Sequence, residues 1–565
     1  MSSAPRVVSH DPSSRKFTGS SLGWVAVIAT VLTYAALALY QLGKPDLAMD
    51  EARYGISALN VLYYHLIAIV SPNPGGVSYT TWPYMYPLEL AGSILLLGKN
   101  ELALRFVNVV LMFLSALCIY RLAAGSLLRD RTVGLLAFGL FLLNPSTIAY
   151  VRTAMCEPSV VFWGCAAMVA AASYRESRQP AQAALSGIAL GLGFLSKLWL
   201  ILPFGAAVAL LLLFPLSDRN VGKTVRDAAI ALVAFVVVAG SHLLLVRLLA
   251  PQNLKLWLGM YFQSYGATRV AGAGYDPTLW YHPWWFYPGA VFKGIFFYLP
   301  LVFLGIADLV RRRRFLLLGC LASLVGPVFV LSLFKVKEAA YSSQAYPALA
   351  LVMACGFLPF FEVTRPMEIV LSTLASVALA GFFFAVGVVT RTQFVMMLAL
   401  YAIYLAAAPL KLLFFGGRRR AAIAAALAAL LLTDAVVVQR QLAHRTNYRE
   451  VAAYFRPRVA PLHPGTITFV SPEFAAISFY LYREGEYWDT FYFHKSDEQF
   501  RDELQHGDRL FYVVDPSGTL YGGKVKPEWE VLLAQNTRDI TAEVQQMAGT
   551  KIRLRVLEPL AKDKP

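Results

Sequence analysis

Acidic and basic side chains lie where apolar segments of this chain end, and the first group follows the first apolar segment. It is the run Asp50-Glu51-Ala52-Arg53-Tyr54. On a helix that starts at Asp50, Arg53 and Tyr54 fall three and four residues on and share its face. A carboxylate, a guanidinium and a phenol would then converge. Asp is also a common helix N-cap that satisfies backbone N–H groups by itself, so spacing alone leaves both interpretations open.

Further polar residues lie at later junctions of the same kind. An acid occurs in Arg152-Thr153-Ala154-Met155-Cys156-Glu157-Pro158, and a lysine ends Gly191-Leu192-Gly193-Phe194-Leu195-Ser196-Lys197. A Lys or Arg at a helix end is commonly an interface anchor. The more informative observation is that all these residues fall on the same side of the membrane in the topology derived below. The remaining candidates are Arg269, Lys337 and Tyr341.

These residue types suit transfer of a sugar from a lipid phosphate to a hydroxyl. A carboxylate can take the hydroxyl proton while cations hold the departing phosphate. Charge-assisted hydrogen bonds contribute about 1.5–3 kcal/mol each, so two or three could replace a metal ion there. We therefore expect no metal and no other cofactor. The candidate catalytic residues are Asp50 and Glu157, and the candidate phosphate ligands are Arg53, Tyr54, Lys197, Arg269, Lys337 and Tyr341.

The elements that position these residues are membrane helices. Of the 565 residues, 58% are hydrophobic and 15% are charged, which is far from the composition of a soluble domain. A bilayer core needs about 20 apolar residues per helix. The uncharged stretches predict 13 spans, near 22–42, 102–121, 132–151, 158–174, 179–196, 198–217, 228–246, 288–307, 315–334, 339–361, 369–390, 392–410 and 420–439.

The basic residues predict the orientation of the spans. Cytoplasmic loops carry an excess of Lys and Arg. With the N-terminus inside, the inner segments hold 20 Lys and Arg against 8 Asp and Glu. This arrangement places the C-terminus and all the candidate site residues outside. It also accounts for the net charge of +16 without nucleic acid as a partner.

The apolar segment from Pro83 to Gly98 is left out of the span count, because including it would reverse every later loop. We expect this segment and the stretch after Asp50 to form two helices in the outer interface, within a first loop of residues 43–101. A second outer loop, about 248–287, is rich in aromatic residues. From about Thr446 the composition turns to mixed charge with short strand-like runs. We therefore divide the chain into a membrane domain, 1–445, and a small outer α/β domain, 446–565.

The motifs together resemble the GT-C glycosyltransferases of the protein O-mannosyltransferase and aminoarabinose transferase (ArnT) group. Asp50 to Tyr54 is similar to that family's Asp-Glu-x-Arg-Tyr signature, whose Asp is catalytic, and Arg152 to Glu157 to the segment of its second acid, usually Asp. Gly191 to Lys197 resembles its Gly-Leu-x-x-Leu-(Ser/Thr)-Lys segment. Two further segments also match the family, Pro283 to Tyr287 and Lys337 to Pro347.

The resemblance implies a fold and a set of partners. The fold is an all-α GT-C membrane domain of about 13 transmembrane helices with two juxtamembrane helices, followed by the C-terminal α/β domain. The partners are a polyprenyl-phosphate sugar donor, an extracytoplasmic acceptor and the lipid bilayer. The implied location is the bacterial inner membrane, with the active site and the C-terminal domain on the periplasmic side.

This sequence departs from aminoarabinose transferases at two places. Thr80 to Pro87 lacks the lysine that those enzymes use for phosphate contact, and Gln344 replaces the Pro after Tyr341. A different donor or acceptor is therefore expected.

A transporter or flippase of lipid-linked sugars is the main alternative function. It predicts paired charges in mid-span and matched broken helices in two halves, whereas few spans here carry central charges. A membrane anchor for a C-terminal binding module would need only one or two helices. Enzyme activity is the interpretation that the pattern favours.

Overall fold

The structure is a computed structural model of the full chain. It describes residues 21–47, 49–65, 83–214, 221–249, 282–333, 339–362, 366–414, 447–459, 468–470, 474–482, 489–491, 510–514 and 527–560, with a few positions between 251 and 254 and between 432 and 439.

Helices dominate the part of the chain that precedes residue 415. Short 3-10 turns, Leu198–Ile201, Phe296–Tyr298 and Ala339–Ser342, connect some of them. The α-helices are α1 (Ser21–Leu39), α2 (Met49–Tyr64), α3 (Met85–Leu97), α4 (Glu101–Leu122), α5 (Arg131–Leu142), α6 (Pro145–Val151), α7 (Glu157–Ser177), α8 (Pro180–Phe194), α9 (Leu202–Leu213), α10 (Val221–Leu249), α11 (Phe286–Ile295), α12 (Leu299–Arg311), α13 (Phe315–Leu331), α14 (Ala345–Glu362), α15 (Pro366–Ala385) and α16 (Arg391–Phe414).

The helical part has the character of a membrane protein. Among the described residues, four helical runs are long and apolar enough to cross a bilayer, and several shorter apolar helices accompany them. Large apolar side chains of α10 face outward, for example Val233 at 61% and Val237 at 66% exposure, as expected for a lipid-facing surface. The predicted number of 13 spans stays a prediction. The four runs are Glu101–Gly125, Val221–Leu248, Phe286–Arg311 and Pro366–Ala385.

The predicted span 132–151 is not one straight helix. It consists of α5 and α6, which meet at a bend of 58°. The Asn144 side chain caps α6, and Pro145 occupies its first turn. Proline lacks the N–H that would continue the hydrogen bonds of α5, so the break follows from the Asn-Pro pair.

The two helices predicted in the first outer loop are present as α2 and α3. The N-terminus of α3 contacts the C-terminal end of α8, because the Met85 N–H donates to the Leu195 carbonyl at 3.1 Å. This contact brings α3 close to the segment that ends in Lys197.

The C-terminal part is α/β, as predicted, with helices α17 (Tyr448–Val459), α18 (Phe474–Leu481), α19 (Pro527–Asn536) and α20 (Thr541–Ala548). Its sheet has the strand order β2-β1-β3-β5-β4. Strand β1 runs parallel to β2 and β3, whereas β5 runs antiparallel to β3 and β4. The strands are β1 (Thr468–Val470), β2 (Asp489–Phe491), β3 (Leu510–Val514), β4 (Thr537–Asp539) and β5 (Arg555–Pro559).

The C-terminal part shares a hydrophobic core with the start of the membrane part. Side chains of α17 and α18, among them Tyr448 and Phe479, pack in one cluster with Tyr54 of α2 and Leu104 of α4. The domain boundary at 445/446 stays a prediction, since it lies outside the described residues.

Candidate active site

Asp50 is the second residue of α2, in its first turn. Its carboxylate is a quarter exposed, at 24%, and Arg53 Nη1 lies 3.4 Å from its Oδ1. Asp50 and Arg53 are therefore neighbours at the surface, as their three-residue spacing predicted, whereas Tyr54 is buried. An exposed carboxylate at a helix N-terminus is accessible to an acceptor hydroxyl.

Glu51, the next residue, points into the protein and is bound by Arg105 of α4. Arg105 Nε and Nη2 donate to the two Glu51 carboxylate oxygens at 2.8 and 2.9 Å. The Ala154 N–H also donates to Glu51, at 2.7 Å. Adjacent positions on a helix differ by about 100°, which separates the accessible acid Asp50 from the buried one.

A second buried ion pair joins the two later motifs. Glu157 begins α7 and is fully buried, and Lys197 Nζ donates to its Oε1 at 2.5 Å. The Lys197 ammonium also lies 4.7 Å from the centre of the Tyr341 ring, in a cation–π contact. Among the described residues, Glu157 Oε2 has no hydrogen-bond partner. Residues from three separate motifs therefore meet at one place.

Tyr54 connects the Asp50 region to this pair. Its hydroxyl lies 2.9 Å from Cys156 Sγ, next to Glu157 in the chain, and its ring packs edge-on against Tyr86. Burial is the main cause that raises the Tyr54 pKa well above its usual value, and the charges of Asp50, Glu157 and Lys197 all act on it. Tyr54 is thus a neutral phenol between the two acids.

An apolar cavity of about 600 Å³ opens beside Lys197 and Tyr341. Helices α9 and α13 supply most of its apolar lining. Gln344, which replaces the family's proline, also lines it and is 1% exposed. No described residue hydrogen-bonds to the Gln344 amide. A long apolar chain with an anionic head group fits such a cavity, because the buried cation lies at its wall.

Glu89 of α3 is a further acid near the site, and it was not among the residues predicted from the sequence. Ser159 Oγ and Trp163 Nε1 each donate to its Oε1 at 2.9 Å. Ser159 Oγ in turn lies 2.7 Å from Ser196 Oγ, one residue before Lys197. Burial raises the pKa of the Glu89 carboxyl to about 7. A lone acid within the apolar segment 83–98 was the signal that could have found it.

Two of the predicted phosphate ligands, Arg269 and Lys337, lie outside the described residues. Their roles stay predictions. No group of three or more His, Cys, Asp or Glu side chains in the described ranges has a metal-binding arrangement. The expectation of metal-independent chemistry also stays a prediction.

The chain is similar in sequence to two sets of known proteins. The family described as dolichyl-phosphate-mannose-protein mannosyltransferase matches residues 81–244. Undecaprenyl phosphate-alpha-4-amino-4-deoxy-L-arabinose arabinosyl transferase of Pectobacterium atrosepticum is 24% identical over 295 residues, 51% of each chain. The protein of the same name from Yersinia pestis is 27% identical over 259 residues, which are 40% of this chain and 45% of the relative. This chain thus spans about half the length of the curated relatives it matches.

Its fold is similar to that of a solved structure over nearly the whole chain. The crystal structure of ArnT from Cupriavidus metallidurans bound to undecaprenyl phosphate superposes with a TM-score of 0.63 at 15% identity, covering 96% of this chain and 99% of that one. Its apo structure gives a TM-score of 0.61. This chain therefore has the GT-C glycosyltransferase fold. Together with the sequence similarities, this confirms the resemblance to GT-C glycosyltransferases seen in its motifs.

Proposed function

We propose that this chain is an integral-membrane glycosyltransferase that moves a sugar from a polyprenyl-phosphate donor to an extracytoplasmic acceptor. The observation that carries the proposal is the meeting of Lys197, Glu157 and Tyr341 at the wall of an apolar cavity, joined through Tyr54 to the helix of Asp50. The similarity of the chain to transferases that are named for an undecaprenyl phosphate-linked sugar supports it. No similarity found favours a flippase.

The cavity and the cations would bind different parts of the donor. The isoprenoid would lie along the apolar walls that α9 and α13 form. The phosphate would lie against Lys197 and Tyr341, which line the cavity, and Arg53, the neighbour of Asp50, would be a further cation for it. A buried cation attracts a phosphate more strongly than an exposed one, because water screens it less.

The transfer itself is a displacement at the anomeric carbon. The Asp50 carboxylate takes the proton of an acceptor hydroxyl while the hydroxyl oxygen attacks that carbon. The bond from the carbon to the phosphate oxygen breaks, and the polyprenyl phosphate leaves with the electron pair. Lys197 and Arg53 stabilise the charge that builds up on the leaving phosphate. Glu157, as the second acid, holds the Lys197 ammonium in place.

The proposal includes a location. The excess of basic residues in the inner loops supports a bacterial inner-membrane protein whose site and C-terminal part face the periplasm. A cysteine introduced at position 500 should react with an impermeant reagent added to intact spheroplasts. Protection of this cysteine would contradict the topology.

The first experiment is a transfer assay with a panel of undecaprenyl-phosphate-linked sugars, using membranes with and without this protein. The absence of the family's lysine from Thr80 to Pro87 makes sugars other than aminoarabinose important members of the panel. Activity should persist in the presence of a chelator. Loss with chelator and recovery with manganese would contradict metal-independent transfer.

The decisive variant is Asp50→Asn. It keeps the shape and the capping ability of the residue but removes the base, so turnover should fall by about 10²–10⁴-fold while donor binding persists. Asp130→Asn is the matched control, because Asp130 caps α5 through two backbone N–H groups and faces the predicted cytoplasmic side. Near-normal turnover by folded Asp50→Asn would contradict the assignment of the base.

A further inference from the structure

A short aromatic segment of the C-terminal part, Phe479-Tyr480-Leu481-Tyr482, lies along helix α2. We name these four residues the aromatic clamp. The first contact precedes the helix: the Leu47 N–H donates to the Tyr480 hydroxyl at 3.1 Å. Leu47 lies three residues before Asp50 and is fully buried. The hydrogen bond therefore fixes the backbone just before the first turn of α2, which contains Asp50.

The clamp contacts α2 again in its middle and near its end. A methyl group added at Gly55 would lie 2.8 Å from the Phe479 ring and 2.9 Å from Leu104 Cδ1 of α4, so the glycine lets both side chains approach the helix backbone closely. Near the end of the helix, the Tyr482 hydroxyl donates to the side chain of the fully buried Asn60 at 2.8 Å. The three contacts therefore extend from two residues before α2 to four residues before its end.

The clamp is itself held in place. Lys99, just before α4, donates to the Tyr482 carbonyl at 2.5 Å and lies 5.5 and 5.4 Å from the centres of the Phe479 and Tyr482 rings. Arg456 of α17 donates to the Tyr480 carbonyl at 2.9 Å. Because these contacts hold the clamp in place, the clamp can in turn hold helix α2 in place.

A second set of contacts ties the same C-terminal part to the loop before α2. Arg449 Nη2 donates to the Gly43 carbonyl at 3.1 Å and pairs with Glu101, and its Nε lies 3.7 Å from Asp46 Oδ1. From the membrane side, Arg105 holds the carbonyls of Leu42, Pro45 and Asp46. The loop is therefore fixed between the two parts of the chain.

We propose that the aromatic clamp is a positioning element that sets the place of Asp50, and that this is a function of the C-terminal part. The inference rests on the proposed function only in treating Asp50 as the base. Misplacing a reacting group by about 1 Å can cost about 10²-fold in rate. The clamp residues are positioning residues, because none of them needs to touch the substrate.

Tyr480→Phe tests the first contact, since it keeps the ring and removes only the hydroxyl that accepts from Leu47. We expect faster amide exchange in a peptide covering residues 45–56, and kcat about 10-fold lower with the donor KM changed less than about twofold. Tyr454→Phe is the matched control. Tyr454 is another buried tyrosine of the C-terminal part, whose hydroxyl donates to Glu543.

Gly55→Ala tests the second contact without removing any hydrogen bond. The added methyl group would meet both the Phe479 ring and Leu104, so it should displace α2 and lower kcat. The double variant Gly55→Ala/Phe479→Leu should recover the part of the loss that comes from the Phe479 contact. Gly92→Ala of α3 is its control, because nothing lies within 4 Å of a methyl group there.

The outcomes distinguish a failure of the clamp proposal from a failure of the proposed function. Unchanged exchange of residues 45–56 in both variants would overturn the clamp, whatever the activity. Faster exchange with unchanged kcat would overturn its role in positioning Asp50. A wild-type protein without transferase activity on any donor would instead count against the proposed function. The amide-exchange data would still show whether the clamp holds residues 45–56 in place.

Discussion

Two buried carboxylate–cation pairs meet the segment 154–157, and they differ in how fully their hydrogen-bonding groups are used. The Arg105 side chain donates from all five of its N–H groups, two to Glu51 and three to backbone carbonyls. The Lys197 and Glu157 pair leaves one carboxylate oxygen without a hydrogen bond from any described residue. It also lies at the wall of a cavity, which the first pair does not line.

The difference indicates what each pair does. A buried charge is costly to remove from water, and full hydrogen bonding offsets that cost. The Arg105 pair has nothing left to offer a ligand, so its contribution is to join α4, α2 and the loop before α2. The second pair keeps one Glu157 oxygen without a hydrogen bond from any described residue, and its Lys197 lines an apolar cavity of about 600 Å³. We therefore regard the fully hydrogen-bonded pair of Arg105 and Glu51 as architectural, and the pair of Lys197 and Glu157 beside the cavity as part of the site.

The largest effect expected from this comparison is on stability, in the variant Arg105→Met. Removing one partner of a buried pair costs about 3–5 kcal/mol, and this variant also leaves three backbone carbonyls without their donor. The free energy of unfolding in detergent should fall by at least that range, or no folded protein should be obtained. Arg105→Lys should recover only part, since lysine lacks the planar fork.

The control is Arg538→Met in the C-terminal part. Arg538 pairs with two acids at the exposed surface, and exposed substitutions usually change stability by about 0.5 kcal/mol or less. Equal losses in the two variants would remove the distinction between a saturated buried pair and a surface pair.

A smaller effect, on ligand binding, is expected for Lys197→Met. Charge-assisted hydrogen bonds contribute about 1.5–3 kcal/mol, so affinity for undecaprenyl phosphate should fall by about 10- to 10²-fold. Stability should fall less than in Arg105→Met, and the double variant Lys197→Met/Glu157→Gln should regain most of it because no charge is then left buried. Exposed Lys551→Met is the control for a general loss of positive charge. Wild-type affinity in Lys197→Met would place the phosphate elsewhere.

The sequence was sufficient for elements whose signal is continuous along the chain. Helices α4 and α7 begin and end close to the predicted spans 102–121 and 158–174, because the length of an apolar segment is a local property. The approach of Arg53 to Asp50 was also predicted, since three residues on a helix fix it. The bend between α5 and α6 was missed, although the Asn144-Pro145 pair is a turn signal.

The sequence was insufficient where a partner lies far away along the chain. Arg105 and Glu89 are each a single charge within an apolar segment, and nothing local pairs them with Glu51 or Trp163. The same holds for Tyr480, whose partner Leu47 is 433 positions away. Such contacts depend on how the helices pack, so only the structure reveals that one charge is architectural and another belongs to the site.

The smallest expected effect concerns Glu89, which sharpens the comparison because it extends the unsaturated region. Its Oε1 accepts two hydrogen bonds, whereas its Oε2 has no partner among the described residues. Because burial raises its pKa from 4.5 to about 7, the folded protein holds the Glu89 proton more tightly than the unfolded chain between those pH values. Stability should therefore fall as pH rises from about 4.5 to 7 and then level off.

Glu89→Gln tests this, because the glutamine keeps both hydrogen bonds to its oxygen and stays neutral at every pH. At pH 5 the variant and the wild type should unfold at similar temperatures, which makes that measurement the internal control. At pH 8 the wild type must hold an ionised carboxylate at a half-buried position. The variant should therefore be more stable by about 1 kcal/mol, since partial exposure to water reduces the cost of the charge. If the unfolding temperatures of the variant and the wild type change in parallel from pH 5 to 8, the Glu89 carboxylate is well solvated in the folded protein. The region of the site whose carboxylates have an unsatisfied oxygen would then be limited to Glu157.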